Sequence, residues 1–280
     1  MPKYRIGVRA HDYGKLRPEQ LMEAIAKDGW EGVQLAMPKA IAGVESFGEV
    51  DADITEKVRR AAERYGERIF VLGVYVDLGQ ADEIMRKAAV KTFLSQLSCA
   101  KALGAACIGS ETTNWMQQPA GTTRQQGLRQ VIRSMEEILP EADRLGVTVA
   151  LEAGYEHTMN TPEAVKEILA SLPGNHIRMI FDPGNLLGPE WMDQQEKLFA
   201  QAMEAYGDKI LVVHAKGMRI AKDGRRTACP FSAGEIDYAA IRRVMRDLPQ
   251  EEILVTREEA LPAIAGEEIA FMKYWFREER

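Results

Sequence analysis

Short apolar runs alternate with longer amphipathic segments along the whole chain. The short runs predict eight strands, at residues 4–9, 32–35, 69–75, 107–110, 147–152, 177–182, 210–214 and 253–258. The segments that follow carry apolar residues at helical spacing and predict eight helices, at residues 18–27, 53–65, 82–103, 123–145, 162–170, 194–206, 237–245 and 266–277. Because a helix follows every strand, the pattern predicts eight βα units with no element left over.

Local signals at the predicted helix ends support these assignments. Pro18 and Pro162 stand at helix starts, where a missing N–H group costs nothing, and Thr161 is suited to cap the helix that begins at Pro162. Glycines follow five of the helices, where a left-handed stop position prefers them: Gly29, Gly66, Gly104, Gly146 and Gly207.

The regular βα alternation predicts a parallel sheet with right-handed crossovers. The strand cores VTVAL, IRMIF, ILVV and EILV are mostly apolar, as in parallel strands that are buried on both faces. A doubly wound open sheet usually has about five or six strands, and no GxGxxG follows the first strand of this chain. Eight units in 280 residues therefore predict an α/β fold, a single (β/α)₈ TIM barrel over residues 1–280.

Composition narrows the classes of function. Cys99, Cys107 and Cys229 are odd in number and widely spaced, which argues against a disulfide scaffold or a zinc ribbon and fits a reducing cytoplasm. No apolar leader or membrane-spanning run occurs, so we expect a cytoplasmic protein without a membrane partner. The net charge of −6 also opposes binding to nucleic acid.

Four consecutive predicted strands, the fifth to the eighth, each end in one side chain that can bind a metal. These side chains are Glu152, Asp182, His214 and Glu258. In a parallel barrel all strands end on one face, so the four should converge at its mouth. Three carboxylates and an imidazole suit one divalent ion, with Mn²⁺ as the first choice and Co²⁺, Mg²⁺ or Zn²⁺ as alternatives.

Other interpretations stay open for single members of this set. An acidic residue at a strand end often caps a helix or faces solvent, and Asp182 before Pro183 and Gly184 could simply shape a turn. The eighth strand reads ILVTREEA, so the ligand could be Glu258 or Glu259. Neighbouring strand residues point to opposite faces, and the length of the preceding run favours Glu258. If the ligand position were Thr256 instead, this strand would contribute no ligand.

These residues resemble those of the sugar phosphate isomerase/epimerase superfamily, the xylose isomerase-like TIM barrels. Glu152 in VALEAGYEHT, Asp182 in IFDPGNLL and His214 in VVHAKG match three strand-end ligands of that family, and the resemblance extends over the whole chain. It implies that Glu152 and Glu258 both bind the metal and move protons. The sequence departs from the family pattern in two features. Asn185 stands where ketose epimerases of this family have a substrate-binding histidine, and Thr256 and Arg257 interrupt an apolar run.

The predicted reaction is the isomerisation or epimerisation of a keto sugar or related polyol through a metal-stabilised enediolate. Glu152 and Glu258 would exchange the proton while Asp182 and His214 complete the metal shell. The same site could serve a lyase that eliminates a group from a 3-keto glycoside, or the chain could be a catalytically reduced sugar-binding barrel. An abasic-site nuclease with three zinc ions, as in a related branch, is disfavoured because the chain has only four histidines.

Other polar residues near the strand ends are candidates for binding a small carbohydrate substrate. They are His11, Gln34, Glu111, Trp115, His157, Asn185 and Lys216. For some of them a structural role is equally compatible: Gln34 could be a core amide, Trp115 a packing residue and His157 a helix cap. His176, before the sixth strand, is assigned to structure.

Two further segments leave alternatives open. Residues 216–234 form a long, basic βα connection that could be a lid over an anionic substrate or a solvated hairpin. No Gly-rich phosphate-binding loop precedes the last helices, so the sequence does not establish that the substrate is phosphorylated. The final helix contains Phe271, Tyr274, Trp275 and Phe276, which we expect to pack against the barrel, although barrels of this kind can form homo-oligomers.

Overall fold

The structure is a computed structural model that describes residues 2–172 and 177–277. Its strands within these ranges are β1 Lys3–Arg9, β2 Gly32–Leu35, β3 Arg68–Gly73, β4 Cys107–Glu111, β5 Val149–Glu152, β6 Ile177–Phe181, β7 Ile210–Ala215, β8 Met218–Ile220, β9 Arg226–Ala228 and β10 Glu252–Arg257. Strands β1 to β7 and β10 are parallel and close into one barrel. The predicted TIM barrel is therefore confirmed.

Helices follow the barrel strands in the predicted order. Their bounds are α1 Pro18–Asp28, α2 Met37–Ala40, α3 Ala52–Tyr65, α4 Glu83–Leu103, α5 Arg124–Leu145, α6 Pro162–Ser171, α7 Pro183–Leu186, α8 Gln195–Tyr206, α9 Tyr238–Met245 and α10 Ala265–Phe276. None of the described helices combines the length and apolarity that crossing a bilayer requires.

The prediction that no element is left over is wrong in three places. Two one-turn helices, α2 and α7, lie in loops at the barrel mouth, and the basic segment after β7 contains an antiparallel hairpin in which Met218 pairs with Ala228. Such short elements are stabilised by contacts with distant loops, which local periodicity does not reveal. The assignment of His176 to structure lies outside the described residues.

The predicted helix ends are confirmed with one exception. Pro18 and Pro162 begin α1 and α6, and Thr161 accepts a hydrogen bond of 3.2 Å from the Ala164 amide. Gly146, after α5, has a φ of 68° and is left-handed as predicted, and the glycines after α1, α3 and α4 share this conformation. The prediction for Gly207 is wrong, because its φ is −55° and the chain continues into a right-handed 3-10 turn that leads to β7.

The interior of the barrel is a small apolar layer below the mouth, formed by Phe70, Val71, Cys107, Ala150, Ile180, Val212 and Leu254. Phe70 fills the side of β1 and β2, where two glycines make room for its ring. A Cβ atom on Gly7 would lie 2.6 Å from this ring, and one on Gly32 would lie 2.3 Å from it. Along β5, Val149 and Leu151 belong to the outer layer that packs against the helices. The inward positions after this apolar layer are the polar strand ends.

The aromatic residues of α10 pack within the chain, in agreement with the expected role. The Phe271 ring stacks on Phe231 with centroids 4.3 Å apart and meets Tyr238 edge-on at 5.2 Å. Tyr4 of β1 contacts Phe276 at 5.5 Å. Aromatic pairs at these distances stabilise the contact beyond simple burial. They hold α10 and α9 against the strands that carry the mouth of the barrel.

Candidate active site

Glu152, Asp182 and His214 converge at the carboxyl ends of β5, β6 and β7. One ligand atom from each lies within 4.8 Å of the others. Nδ1 of His214 is 3.1 Å from Glu152 Oε2 and 3.5 Å from Asp182 Oδ2. All three side chains are buried. The sequence pattern anticipated this convergence because each residue takes the first inward position after an inward apolar residue.

Asp182 combines the two roles that the sequence left open. Its Oδ1 accepts a hydrogen bond of 2.8 Å from the Asn185 amide and caps α7, the turn that Pro183 and Gly184 begin. Its Oδ2 faces His214 and the ammonium group of Lys216. One carboxylate therefore shapes the turn with one oxygen and faces the site with the other.

Of the two glutamates after β10, Glu258 faces the barrel. Its Oε1 lies 3.5 Å from His214 Nδ1, and its backbone amide bonds to Ala215 O at 3.0 Å. Glu259 points away, with a φ of 56° and a salt bridge of 2.9 Å to Arg9. Thr256 also points inward and pairs in register with His214, so Glu258 extends one layer above the imidazole.

Gln34 lies inside the barrel and supports Glu258. The side chain is 1% exposed, and its Nε2 donates to Glu258 Oε1 at 2.7 Å and also contacts the hydroxyl of Tyr75. Tyr75 follows β3, and burial together with the charge of Glu258 raises its pKa well above the ordinary value. Gln34 therefore orients this carboxylate from β2, two strands away in the closed barrel.

Lys216 lies inside the cluster rather than at its edge. Its Nζ is 2.7 Å from Asp182 Oδ2, 2.7 Å from Glu258 Oε2 and 3.1 Å from Asn185 Oδ1. The side chain is 6% exposed. Burial lowers the pKa of Lys216, but the carboxylates outweigh burial and hold this pKa well above the ordinary value. The hydroxyl of Tyr238 bonds to both the amide and the carbonyl of Lys216, which fixes this part of the backbone.

The cluster favours positive charge at its centre. Burial lowers the pKa of His214, but Glu258 and Glu152 outweigh burial and raise this pKa to about 10. Burial raises the pKa of Glu152 to about 7. Although burial also raises the pKa values of Asp182 and Glu258, Lys216 and His214 outweigh it and lower both.

Two observations fit a divalent ion to these residues. Neither nitrogen of His214 has a hydrogen-bond partner among the described residues, although the ring is fully buried. Buried polar atoms normally have partners, so a free ring nitrogen beside two carboxylates is a suitable metal ligand. In addition, a His214 ring that gives up its proton to bind a metal leaves three carboxylates and one ammonium. Their two remaining negative charges are those that a divalent cation would neutralise.

A polar cavity of about 350 Å³ adjoins the cluster at the ends of β3 to β5. Its lining consists of Tyr75, Val76, Asp77, Glu111, Thr112, Asn114, Gln117 and His157. Glu111 pairs in register with Glu152, and its Oε2 lies 3.6 Å from His157 Nε2. Burial raises the pKa of Glu111 and lowers that of His157, so the cavity offers hydrogen-bonding groups with little positive charge.

The other predicted substrate residues lie around the mouth. Asn185 donates to Glu152 Oε1 at 2.7 Å. His11 lies in the turn after β1, where burial and the charge of Arg9 lower its pKa to about 4. The Arg124 guanidinium covers one face of the Trp115 ring at 4.0 Å from its centroid, and Trp115 is not among the residues that line the polar cavity.

Several residues of the site were not predicted from the sequence, among them Asn114 and Gln117 of the cavity. Arg9 and Tyr75 stand at or just beyond the ends of β1 and β3, so the strand-end pattern used for the later strands could have found them. Arg9 bonds to Asp12 at 2.9 Å and to Glu259. Asp77 lies in a loop and Tyr238 begins α9, and neither has a local signal in the sequence.

The basic residues after β7 have different surroundings, and one of them, Arg226, contacts other loops. Arg226 donates to Leu187 O at 2.7 Å and to Glu156 Oε1 at 2.8 Å, and its guanidinium lies 5.5 Å from the Tyr155 ring. Arg219 donates to Ala233 O at 2.9 Å. Lys222 and Arg225 are exposed. This segment therefore includes the hairpin that the sequence left as one of two alternatives.

Comparison with known proteins gives a match to one family. The sequence pattern of the family described as "Xylose isomerase-like TIM barrel" matches residues 22–275. No curated protein matches the chain in sequence at a significant level.

Solved structures with the same fold include sugar epimerases. The 3-keto-D-glucoside 4-epimerase YcjR from E. coli is 18% identical, with a TM-score of 0.74 over 97% of this chain and 100% of that one. A D-psicose 3-epimerase studied with D-fructose is 17% identical, with a TM-score of 0.74 over 98% and 100%. The IolI protein with a bound zinc atom is 18% identical, with a TM-score of 0.74 over 98% and 96%. At these identities the likeness concerns the fold.

Proposed function

We propose that this chain, which belongs to the xylose isomerase-like TIM barrel family, is a metal-dependent isomerase or epimerase of a keto sugar or related polyol. The observation that carries the proposal is the cluster of Glu152, Asp182, His214 and Glu258. Carboxylate oxygens of the three acidic residues lie 3.1–3.5 Å from Nδ1 of His214. These three carboxylates outnumber the one ammonium group among them, that of Lys216. Such a set of oxygen and nitrogen ligands suits a borderline dication, and Mn²⁺ is our first choice.

In this proposal Glu152, Asp182 and His214 hold the ion together with Glu258. When bound, a dication supplies Lewis acidity, which polarises the substrate carbonyl and stabilises the negative charge that develops on the sugar oxygens. Asn185 and Gln34 keep Glu152 and Glu258 oriented through hydrogen bonds of 2.7 Å to each. Orientation of this kind is what proton transfer to or from carbon requires.

Glu152 and Glu258 are the proposed proton carriers. Each is a buried carboxylate within 3.5 Å of His214 Nδ1, so a substrate carbon above the imidazole would have a carboxylate in reach from two different strands. One carboxylate removes the proton next to the carbonyl, and the other returns a proton to the neighbouring carbon or to the opposite face. The buried surroundings exclude water that would compete as a proton donor.

The polar cavity is the proposed place for the rest of the sugar. Asp77 and Glu111 offer hydrogen-bond acceptors for hydroxyl groups, and Asn114 and Gln117 offer amides. His157 lies 3.6 Å from Glu111 and completes this side. The epimerases and the zinc-containing protein of the same fold support a sugar substrate and a metal without identifying either.

The first test combines metal content with proton exchange. Elemental analysis of the purified protein should find about one equivalent of a divalent metal, as expected for one site with four ligands. The metal-loaded protein is then incubated in deuterated water with D-fructose, with D-tagatose and with a 3-keto glucoside. Deuterium should enter the position next to the carbonyl of the accepted sugar, as detected by proton NMR.

Matched variants separate the roles of the carboxylates. Glu152→Gln and Glu258→Gln should abolish the exchange, whereas Glu259→Gln, at a neighbouring position that faces away from the site, should retain the metal and the exchange. In ordinary water, a product with the same mass as the substrate identifies an isomerase or epimerase. A substrate split in two identifies the lyase reaction instead, and sugar binding without metal or exchange would contradict an enzymatic function.

A further inference from the structure

Lys216 occupies a position that a bound metal would also need. Its ammonium lies 2.7 Å from Asp182 Oδ2 and 2.7 Å from Glu258 Oε2. Among the lysines and arginines that the structure describes, the next nearest is Arg9, whose Nη1 is 4.0 Å from Glu258 Oε2 but 2.9 Å from Glu259 Oε1. Lys216 is therefore the described lysine or arginine that pairs with the carboxylates around His214.

We infer that Lys216 is an internal cation that competes with the dication for Asp182 and Glu258 and so weakens metal binding. This inference rests on the metal site of the proposed function. The competition would make the affinity of the site adjustable by a residue that is not itself a ligand.

The conflict centres on one oxygen of Asp182. Oδ1 is engaged by the Asn185 amide at 2.8 Å, so Oδ2 is the oxygen left for a metal, and it already faces His214 Nδ1 at 3.5 Å. Metal–oxygen bonds are about 2.0–2.2 Å long. A dication on Oδ2 would thus lie within about 5 Å of the Lys216 ammonium if the lysine stayed in place. Buried like charges at this separation repel strongly because little water screens them.

Lys216 could in principle help a metal by holding the two carboxylates in position. Other contacts already do this. The cap of α7 holds Asp182, and Gln34 Nε2 holds Glu258 Oε1 at 2.7 Å. Removing the ammonium therefore costs little orientation and removes a repulsive charge, so the expected net effect is tighter metal binding.

Lys216 would keep one hydrogen-bond partner if a metal displaced it from the carboxylates. Its Nζ is 3.1 Å from Asn185 Oδ1, which is outside the proposed ligand set. Tyr238 fixes the lysine backbone through two hydrogen bonds of 2.7 and 2.8 Å, so only the side chain needs to turn. The released ammonium would then be free to donate to an oxygen of the bound sugar.

The test is the affinity of the full-length, metal-stripped protein for Mn²⁺ alone. Titration calorimetry and the EPR signal of free Mn²⁺ give the Kd without any measurement of activity. For Lys216→Met the Kd should fall by about tenfold or more, because a buried like charge is removed. Lys216→Gln should give the same direction, and it serves if the methionine variant does not fold. Circular dichroism establishes folding.

Lys222→Met is the matched control, because it changes the net charge equally at an exposed position after the same strand. Its Kd should stay within about twofold of the wild type, since exposed charges are screened by water. An unchanged or higher Kd in folded Lys216→Met would overturn the inference, and so would an equal fall of the Kd in Lys222→Met. In both cases, Mn²⁺ binding by the wild type would still support the proposed metal site. If neither the wild type nor any variant binds Mn²⁺, both the inference and that site are contradicted.

Discussion

The side-chain amide of Gln34 donates a hydrogen bond of 2.7 Å to Glu258 Oε1, although 224 residues separate the two in sequence. Gln34 lies near the carboxyl end of β2, and Glu258 directly follows β10. In the closed barrel, β1 lies between these two strands. The bond is buried and orients one oxygen of a carboxylate whose other oxygen lies 2.7 Å from Lys216, just after β7.

Replacing Gln34 should weaken the metal site from a distance. In Gln34→Leu the Kd for Mn²⁺ should rise by about 10- to 100-fold, the usual cost of losing a partner that orients a ligand. Gln20→Leu, at an exposed position of α1, is the control and should leave the Kd unchanged. Equal Mn²⁺ affinity in Gln34→Leu and wild type, measured by calorimetry, would mean that Glu258 does not depend on this bond.

Metal removal should lower the thermal stability. Metal at about 100 times its Kd stabilises a folded protein by about 2.7 kcal/mol, which corresponds to about 5–10 °C in Tm at about 2–4 °C per kcal/mol. Calorimetric scans of the metal-loaded protein before and after treatment with EDTA measure this difference. In His214→Ala the two scans should coincide, because the central ligand is gone. Coincident scans in the wild type would count against a metal bound by the folded state.

Glu67 should make the stability depend on pH. It is 7% exposed, and its Oε2 has no hydrogen-bond partner among the described residues. Burial, with a smaller effect of Glu31, raises the pKa of Glu67 to about 8. The folded state therefore binds the proton more tightly than the unfolded state, and stability is lost as the pH rises from about 4.5 to 8, by about 3–5 kcal/mol.

Glu67→Gln should remove most of this loss. Urea midpoints of the variant and the wild type should be similar at pH 5, and the variant should be the more stable at pH 9. Glu23→Gln, at an exposed position of α1, controls for the change of net charge. A variant that is no more stable than the wild type at pH 9 would show that Glu67 titrates as an ordinary exposed carboxyl.

Arg257 should act on stability rather than on the metal. It points away from the barrel interior, and its Nη2 forms a buried salt bridge of 2.5 Å with Glu268 of α10. Breaking one side of a buried pair costs about 3–5 kcal/mol, because the partner charge stays buried. Arg257→Met should lower the urea midpoint, and Arg257→Met combined with Glu268→Leu should recover much of it. Recovery in the double variant, with unchanged Mn²⁺ affinity, distinguishes this role from one in the site.

The strand-end residues that converge as the sequence pattern predicts share one property. Whether Glu152, Asp182 and His214 face the interior follows from alternation along each strand, which is local. That their strands end on one face follows from the βα order. Residues whose position depends on distant contacts escaped this reasoning. Nothing around Gln34 in the sequence indicates that it reaches Glu258, and nothing around Tyr238 indicates that it fixes Lys216.

The sequence by itself determined the barrel, the family resemblance and the convergence of Glu152, Asp182 and His214, because periodicity and strand order are encoded locally. Only the tertiary structure decided that Glu258 rather than Glu259 faces the site, because the chain turns into a left-handed conformation at Glu259 and its carboxylate meets Arg9 of a distant strand. It also decided that Lys216 lies among the carboxylates instead of at the cavity wall. The charges that meet at the mouth come from strands far apart in sequence, and only the closed barrel brings them within reach of one another.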